Sequence, residues 1–270
     1  MAIVVAVAAA AAWTTPAVAQ TPLRVAAGFD GRFIPGARVP VQVTVEADRL
    51  VEGTLRVTYP REGEPTIEMP VEVPGGSVKV FTLVVPTRLD GTAPSRVVLE
   101  HDGQTTAARI PRLERLRDEE LVALDRSLLA GGPLPGPAPL VAETGTARFA
   151  ELSEALLAQA PDSLESVTVI GLGPDGLDAL GPRAREALLR WVALGGSLYI
   201  DAQSGPVPSL PEGWQPGPEG RVRAGAGWIR LTGGAMSDGR WPGLVEPTMR
   251  SARVSGSLEE MGMMGDFGGG

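Results

Sequence analysis

The chain has 270 residues, a formal net charge of −8 and no cysteine. That length accommodates two cores, since ordinary domains run to about 100–200 residues. The charge argues against a nucleic-acid role, which needs a concentrated basic surface. The missing thiol excludes disulfides, thiolate metal sites and a cysteine nucleophile. Among the 24 basic residues only Lys79 is a lysine, a skew that fits GC-rich coding more than any function.

Residues 1–19 read as a secretory signal: the segment is apolar through Trp13 and ends in Ala17-Val18-Ala19, a small-x-small cleavage site before Gln20. It lacks a positive n-region, and its apolar run is shorter than the ~20 residues of a spanning helix. Cleavage, export and an extracytoplasmic, secreted or membrane-associated location are therefore expected.

From 23 to 111 the pattern is that of half-buried strands. Val39, Val41, Val43 and Val45 share one face, Leu55, Val57 and Tyr59 repeat the alternation, and Val78 and Val80 repeat it again. Pro35-Gly36, Arg61-Glu62-Gly63, Pro74-Gly75-Gly76, Asp90-Gly91 and Asp102-Gly103 punctuate the strands as turns. Short strands at this spacing predict an immunoglobulin-like β-sandwich. His101, the only histidine, falls in the Asp102-Gly103 hairpin.

Arg109, Arg112, Arg115 and Arg117 form the densest basic group, offset along the chain by Glu114, Asp118, Glu119 and Glu120. Residues 112–250 predict a second domain. A linker helix in "LERLRDEELVALDRSLL" leads to a strand at Leu121 to Leu124. Then follow a Pro/Gly loop, strand "LVAE", helix "ARFAELSEALLAQA", strand "SVTVIGLG", helix "PRAREALLRWVA", strand "SLYIDA" and strand "GWIRLTG". This alternation predicts a parallel-sheet α/β domain of the flavodoxin-like type. Pro182 stands at N1 of the last helix, Glu186 and Arg190 are spaced as an i,i+4 pair, Trp191 joins the core face, and Gly195 is the stop. Residues 251–270, rich in Ser, Gly and Met, have nothing to bury and are expected to be disordered. Met261, Met263 and Met264 have no His or Cys beside them that would make a soft-metal site.

The phrase Trp191-Val192-Ala193-Leu194-Gly195-Gly196, between two apolar strands, resembles the glutamine-amidotransferase-like domains of bacterial envelope proteins. The resemblance covers roughly residues 115–245, and the β-rich segment before it resembles the sandwich that accompanies such domains. Catalytic members carry a Cys on a sharp elbow after the second strand, completed by a later His and Glu. Here the matching positions are Asp201, Ala202, Gln203, Ser204 and Gly205, and no histidine follows them. The resemblance thus implies a silent scaffold with no catalytic residues, whose partners are other envelope or membrane proteins. Members of the group commonly continue into a transmembrane helix, which implies that this chain, ending in Gly268-Gly269-Gly270, is cut short of one.

Several sharper readings remain. Gly171 to Gly176 spells G-x-G-x-x-G, but a dinucleotide fingerprint needs its helix to start at the glycines, and Pro182 places the main helix later; no cofactor is expected. Ser204 has no imidazole to activate it. Asp175, Asp178, Asp201 and Ser204 fall at the predicted strand ends, where open α/β folds bind ligands, and they form the candidate ligand-binding edge. No Asp-rich loop spacing supports a metal there. The alternatives are a carboxylate-dependent hydrolase or transferase using Asp175 and Asp201, and a carbohydrate-binding wall protein using Trp214, Trp228 and Trp241 as platforms.

Overall fold

The computed structural model describes residues 21–60, 66–117, 119–129, 133–139, 146–158, 161–201, 209–214 and 220–232. The expected leader, the Gly/Met-rich tail, Trp241 and the "LVAE" strand lie outside them.

In chain order the first half contributes β1 (Leu23–Ala27), β2 (Arg32–Phe33), β3 (Arg38–Ala47), β4 (Val51–Thr58), β5 (Ile67–Val73), β6 (Ser77–Pro86), β7 (Arg96–His101), β8 (Gln104–Arg109) and β9 (Glu114–Arg115). Strands β1-β3-β6 form one antiparallel sheet and β5-β4-β7-β8 another. Alternation drives the pairing: Val39, Val41, Val43 and Val45 are fully buried and face Leu55, Val57, Val97 and Leu99 in a shared core. In β6 the buried face is the other one from that expected. Register places Val85, Leu83, Phe81 and Lys79 opposite Val39, Val41, Val43 and Val45, so Val78 and Val80 fall on the outer face, 61% and 55% exposed. Because the side-chain period is two, the buried Leu83 and Val85 decide the facing of the whole strand.

The second half contributes β10 (Glu119–Asp125), β11 (Ala138–Pro139), β12 (Thr146–Leu152), α1 (Glu154–Leu157), β13 (Val169–Leu172), α2 (Gly176–Ala179), α3 (Pro182–Ala193), β14 (Ser197–Asp201), β15 (Arg221–Ala224) and β16 (Gly227–Thr232), with 3-10 turns at Arg126–Leu129 and Asp162–Leu164. The sheet order is β11-β12-β10-β13-β14-β16-β15. The neighbouring pairs from β12 to β16 run parallel, whereas β11 and β15 are antiparallel at the two edges.

This corrects the expected architecture of an Ig-like sandwich followed by a parallel-sheet amidotransferase-like or flavodoxin-like α/β domain. The described chain is mostly β, its sheets are mainly antiparallel, and the seven-stranded sheet is mixed. Helices are few, and only α3 exceeds four residues. Two expected helices account for the difference. Residues 114 and 115 are extended as β9, paired in parallel with β2, where a linker helix was expected. "ARFAELSEALLAQA" yields β12 and only a single turn of helix, because residues 146–152 pair along the full length of β10 and bury Ala147, Phe149, Ala150 and Leu152. Burial and pairing outweigh the helix propensity of Ala, Glu and Leu, which is worth only tenths of a kcal/mol per residue.

The two halves are joined by more than a linker. Asp30 and Gly31, at φ 50° and 77°, form a two-residue hairpin turn in which Phe29 and Arg32 exchange backbone bonds of 3.1 and 3.0 Å. Positive φ at both central residues is the type I′ signature that Asp-Gly satisfies. The turn thrusts Phe29, 1% exposed, into the core of the mixed sheet beside Leu116, while Phe33 stays in the sandwich core. Arg32 Nη1 donates to Phe149 O at 2.9 Å, and Glu151 N donates to Asp30 Oδ2 at 2.9 Å. Residues 149 and 151 are two apart on an extended strand and present the same edge, so side chains of the hairpin occupy the edge of β12 opposite β10. A second tie grips Arg38: its amide donates to Glu165 Oε2 at 2.8 Å, its carbonyl accepts from Ser166 Oγ at 3.0 Å, and its guanidinium lies 2.7 Å from Asp162.

Helix α3 is specified as its sequence suggests. Pro182 occupies the first turn, and Ala184, Leu188, Trp191 and Val192 are buried. Gly195 N donates to Val192 O and Gly196 N to Trp191 O, the two bonds of a Schellman stop, with Gly195 at φ 115°. The expected Glu186–Arg190 ion pair is not formed among the described residues. Gly196 has a packing reason: a methyl there would overlap the fully buried Trp191 indole.

Trp191→Ala is therefore expected to cost about 3–5 kcal/mol, and Gly196→Ala to destabilise through that overlap. In denaturant unfolding the double substitution should cost clearly less than the sum, because Trp191→Ala removes the ring that the Gly196→Ala methyl would overlap. Additive losses would show that Gly196 is not held by the indole.

Candidate functional site

Strands β10, β13, β14 and β16 run in one direction, so their C-terminal ends gather at one end of the sheet. That is where Asp175, Asp178, Asp201 and Ser204 were expected to cluster. Ser204 lies outside the described residues. The other three stand in three different settings.

Asp201 ends β14 and is fully buried. Thr232, opposite it at the end of β16, donates its hydroxyl to Asp201 Oδ1 at 3.2 Å. Asp175 is exposed, precedes α2 and makes no side-chain cap bond. Asp178 is also exposed and serves the loop beside it: Ser209 N donates to its Oδ2 at 3.4 Å, and Arg185 Nη2 lies 3.7 Å from its Oδ1. Arg185 in turn donates to Ser209 O. One aspartate is committed to sheet packing, one to a loop, and one to solvent.

Sequence reasoning missed Asp125 and Ser127, which sit on this same edge, one strand from the centre of the sheet. Asp125 closes β10, and Ser127 Oγ donates to its Oδ2. The pair lies against the glycine loop. A Cβ on Gly173 would overlap the Ser127 hydroxyl, and one on Gly176 would come 2.9 Å from Leu172 Cβ and 3.5 Å from Asp125 Oδ2. The G-x-G-x-x-G spelling thus makes room for a Ser-Asp pair within the fold. The signal available in sequence was an acid closing an apolar strand, followed two residues later by a hydroxyl.

Chemically, a serine hydroxyl is a weak nucleophile unless a general base stands beside it, and imidazole is the group most often used for that role. The only histidine cannot help. His101 is buried in the sandwich, its Nε2 3.3 Å from Thr21 Oγ1 and its Nδ1 3.7 Å from Asp102. Among the described residues no group of His, Asp and Glu is arranged to hold a metal ion. Of the tryptophans named for a sugar platform, Trp214 packs against the mixed-sheet core, and Trp228, 47% exposed, lies beneath the Arg223 guanidinium.

Residues 20–114 match the family described as Domain of unknown function (DUF8726). That stretch covers the sandwich and ends at β9. No curated protein matches the chain. Among solved structures, a cycloisomaltooligosaccharide glucanotransferase from Paenibacillus sp., complexed with cycloisomaltoheptaose, is similar at 12% identity over 55% of this chain. The match spans 20% of that enzyme's chain at a TM-score of 0.25. At that level neither fold nor activity carries over.

Buried titratable groups often mark function, and Glu120 is one. It sits near the start of β10, at the opposite end of that strand from Asp125. Burial raises its pKa above the ordinary 4.5, opposed in part by a hydrogen bond from Thr168. Because the folded state prefers the protonated form, the contribution of Glu120 to stability is largest at acid pH and is lost as pH rises through the folded pKa. Glu120→Gln keeps the neutral shape at every pH. The melting temperature of the variant relative to the natural chain should therefore climb from pH 4 to pH 8; a difference that stays flat would remove Glu120 as a buried acid.

Proposed function

We propose that this chain is an exported, non-catalytic binding or scaffolding module of a bacterial cell envelope, working with other envelope or membrane proteins. The observation that carries the reading is the dispersal of its acids. Asp201 is buried against Thr232, Asp178 is tied to Arg185 and Ser209, and Asp175 is in solvent. A glycosidase-type pair needs two carboxyl groups facing one substrate at about 5–10 Å, and an acyl-transfer site needs a nucleophile with a competent base. The small-x-small site before Gln20 supports export, and no helix among the described residues is long and apolar enough to cross a membrane.

The test uses the mature chain, whose first residue is expected to be Gln20. It is assayed for glutamine, ester and glycoside hydrolysis beside Ser204→Ala, Ser127→Ala and Asp201→Asn. No turnover above the uncatalysed rate is expected for any of them. Turnover abolished by one of these substitutions would make the chain an enzyme.

A further inference from the structure

The sandwich carries an open cleft of about 850 Å³ near the junction with the second half. Arg96, Arg109, Arg112 and Arg115 line it, together with Tyr59, Pro60, Pro94, Ile110, Pro111 and Leu113, and among the described residues no Asp or Glu is part of its wall. In a chain of net charge −8 that is a concentrated reversal of sign.

Two details separate this cleft from an ordinary solvated surface. Arg96 of β7 and Arg109 of β8 are directly opposed in antiparallel register, so both guanidinium stems leave the same face about 5 Å apart, an arrangement that costs stability for like charges. Neither is in an ion pair with a described residue, and neither is Arg112. Three of the acids that balance this group along the chain are spent elsewhere, and the fourth, Asp118, lies outside the described residues. Glu114 lies 3.1 Å from Arg32, Glu119 lies 2.8 Å from Arg148, and Glu120 is buried. Arg115 is placed by backbone alone, its Nη1 donating to Asp90 O at 2.9 Å and its Nη2 to Leu89 O at 3.4 Å. On the same outer face the carboxylates of Glu68 and Glu100 are both engaged by Arg56, at 2.7 and 3.0 Å.

We propose that this cleft binds an acidic, partly apolar segment of a partner protein. The arginine forks supply bidentate sites for carboxylates. The proline, Ile110, Leu113 and Tyr59 walls give apolar side chains between those carboxylates a surface to cover, which a phosphate polymer would leave unused. The inference deepens the scaffold reading by naming the partner's chemistry. Its test reads binding, so it can fail while the chain remains inactive, or hold while turnover is found.

The experiment measures fluorescence anisotropy of a labelled peptide of alternating Glu and Leu, titrated with the full chain at low salt and again at 0.5 M NaCl. Binding that weakens with salt is expected. Arg96→Glu, which also neutralises Arg109 across the strands, should weaken it at least tenfold and should raise the melting temperature. Arg112→Ala should weaken it several-fold, and Arg24→Glu, an exposed site on β1, should stay within twofold. Absence of binding, an equal loss in Arg24→Glu, a lowered melting temperature in Arg96→Glu, or displacement of the peptide by tripolyphosphate at lower concentration than by polyglutamate would each overturn the proposal.

Discussion

A two-residue turn holds the molecule together. Asp30 and Gly31 adopt positive φ, and the hairpin they close delivers Phe29 out of the sandwich and into the core of the mixed sheet. Burying a phenylalanine side chain is worth about 1.5–3 kcal/mol. Its neighbours add the hydrogen bonds from Arg32 to Phe149 O and from Glu151 N to Asp30. Those bonds satisfy peptide groups on the edge of β12 that β11 does not reach, since β11 pairs with Thr146 and Ala147 only. An uncovered strand edge invites pairing with other chains; here the sandwich itself covers it.

The rest of the junction follows from that placement. With Phe29 seated, β2 comes alongside β9, Glu114 N donates to Gly31 O, and Leu116 N to Phe33 O. Leu116 then enters the same core as Phe29. The Glu114 carboxylate is drawn to Arg32 and reaches Arg148 at 3.9 Å, while Arg148 is also held by Glu119. Glu114 is thus taken up at the junction, and Glu119 by Arg148 beside it. Arg109 and Arg112, just before them, line the cleft with no ion pair to a described residue, so the contact that ties the halves through Glu114 also leaves the positive patch beside it.

Local signals were legible wherever chemistry acts over a few residues. The valines of β3, Pro182 and Gly195 at the ends of α3, and the buried Trp191 all follow from periodicity and capping. Signals that depend on long-range pairing were not. Nothing near residues 146–152 reveals that β10 will pair with them along their whole length, so Ala, Glu and Leu read as helix. The facing of β6 was set by Leu83 and Val85 across from β3, against the local prominence of Val78 and Val80. Asp30-Gly31 carried the same dipeptide signal as Asp90-Gly91 and Asp102-Gly103, and its significance lay in the core that receives Phe29. At the strand ends, sequence order brought Asp175, Asp178 and Asp201 to one edge; burial, an ion pair and solvent then divided them. Charge balance misled for a related reason, because Glu114 and Glu119 adjoin the arginine group in sequence and serve Arg32 and Arg148 in space.

Joined through the Phe29 hairpin, the sandwich and the mixed sheet are expected to unfold as one cooperative unit. Differential scanning calorimetry of the full chain and of Phe29→Ala tests it most directly, through the number of transitions and the ratio of calorimetric to van't Hoff enthalpy. A single transition with a ratio near one is expected for the natural chain, and two separated transitions for Phe29→Ala. Two independent transitions in the natural chain, with positions unchanged by the substitution, would contradict it.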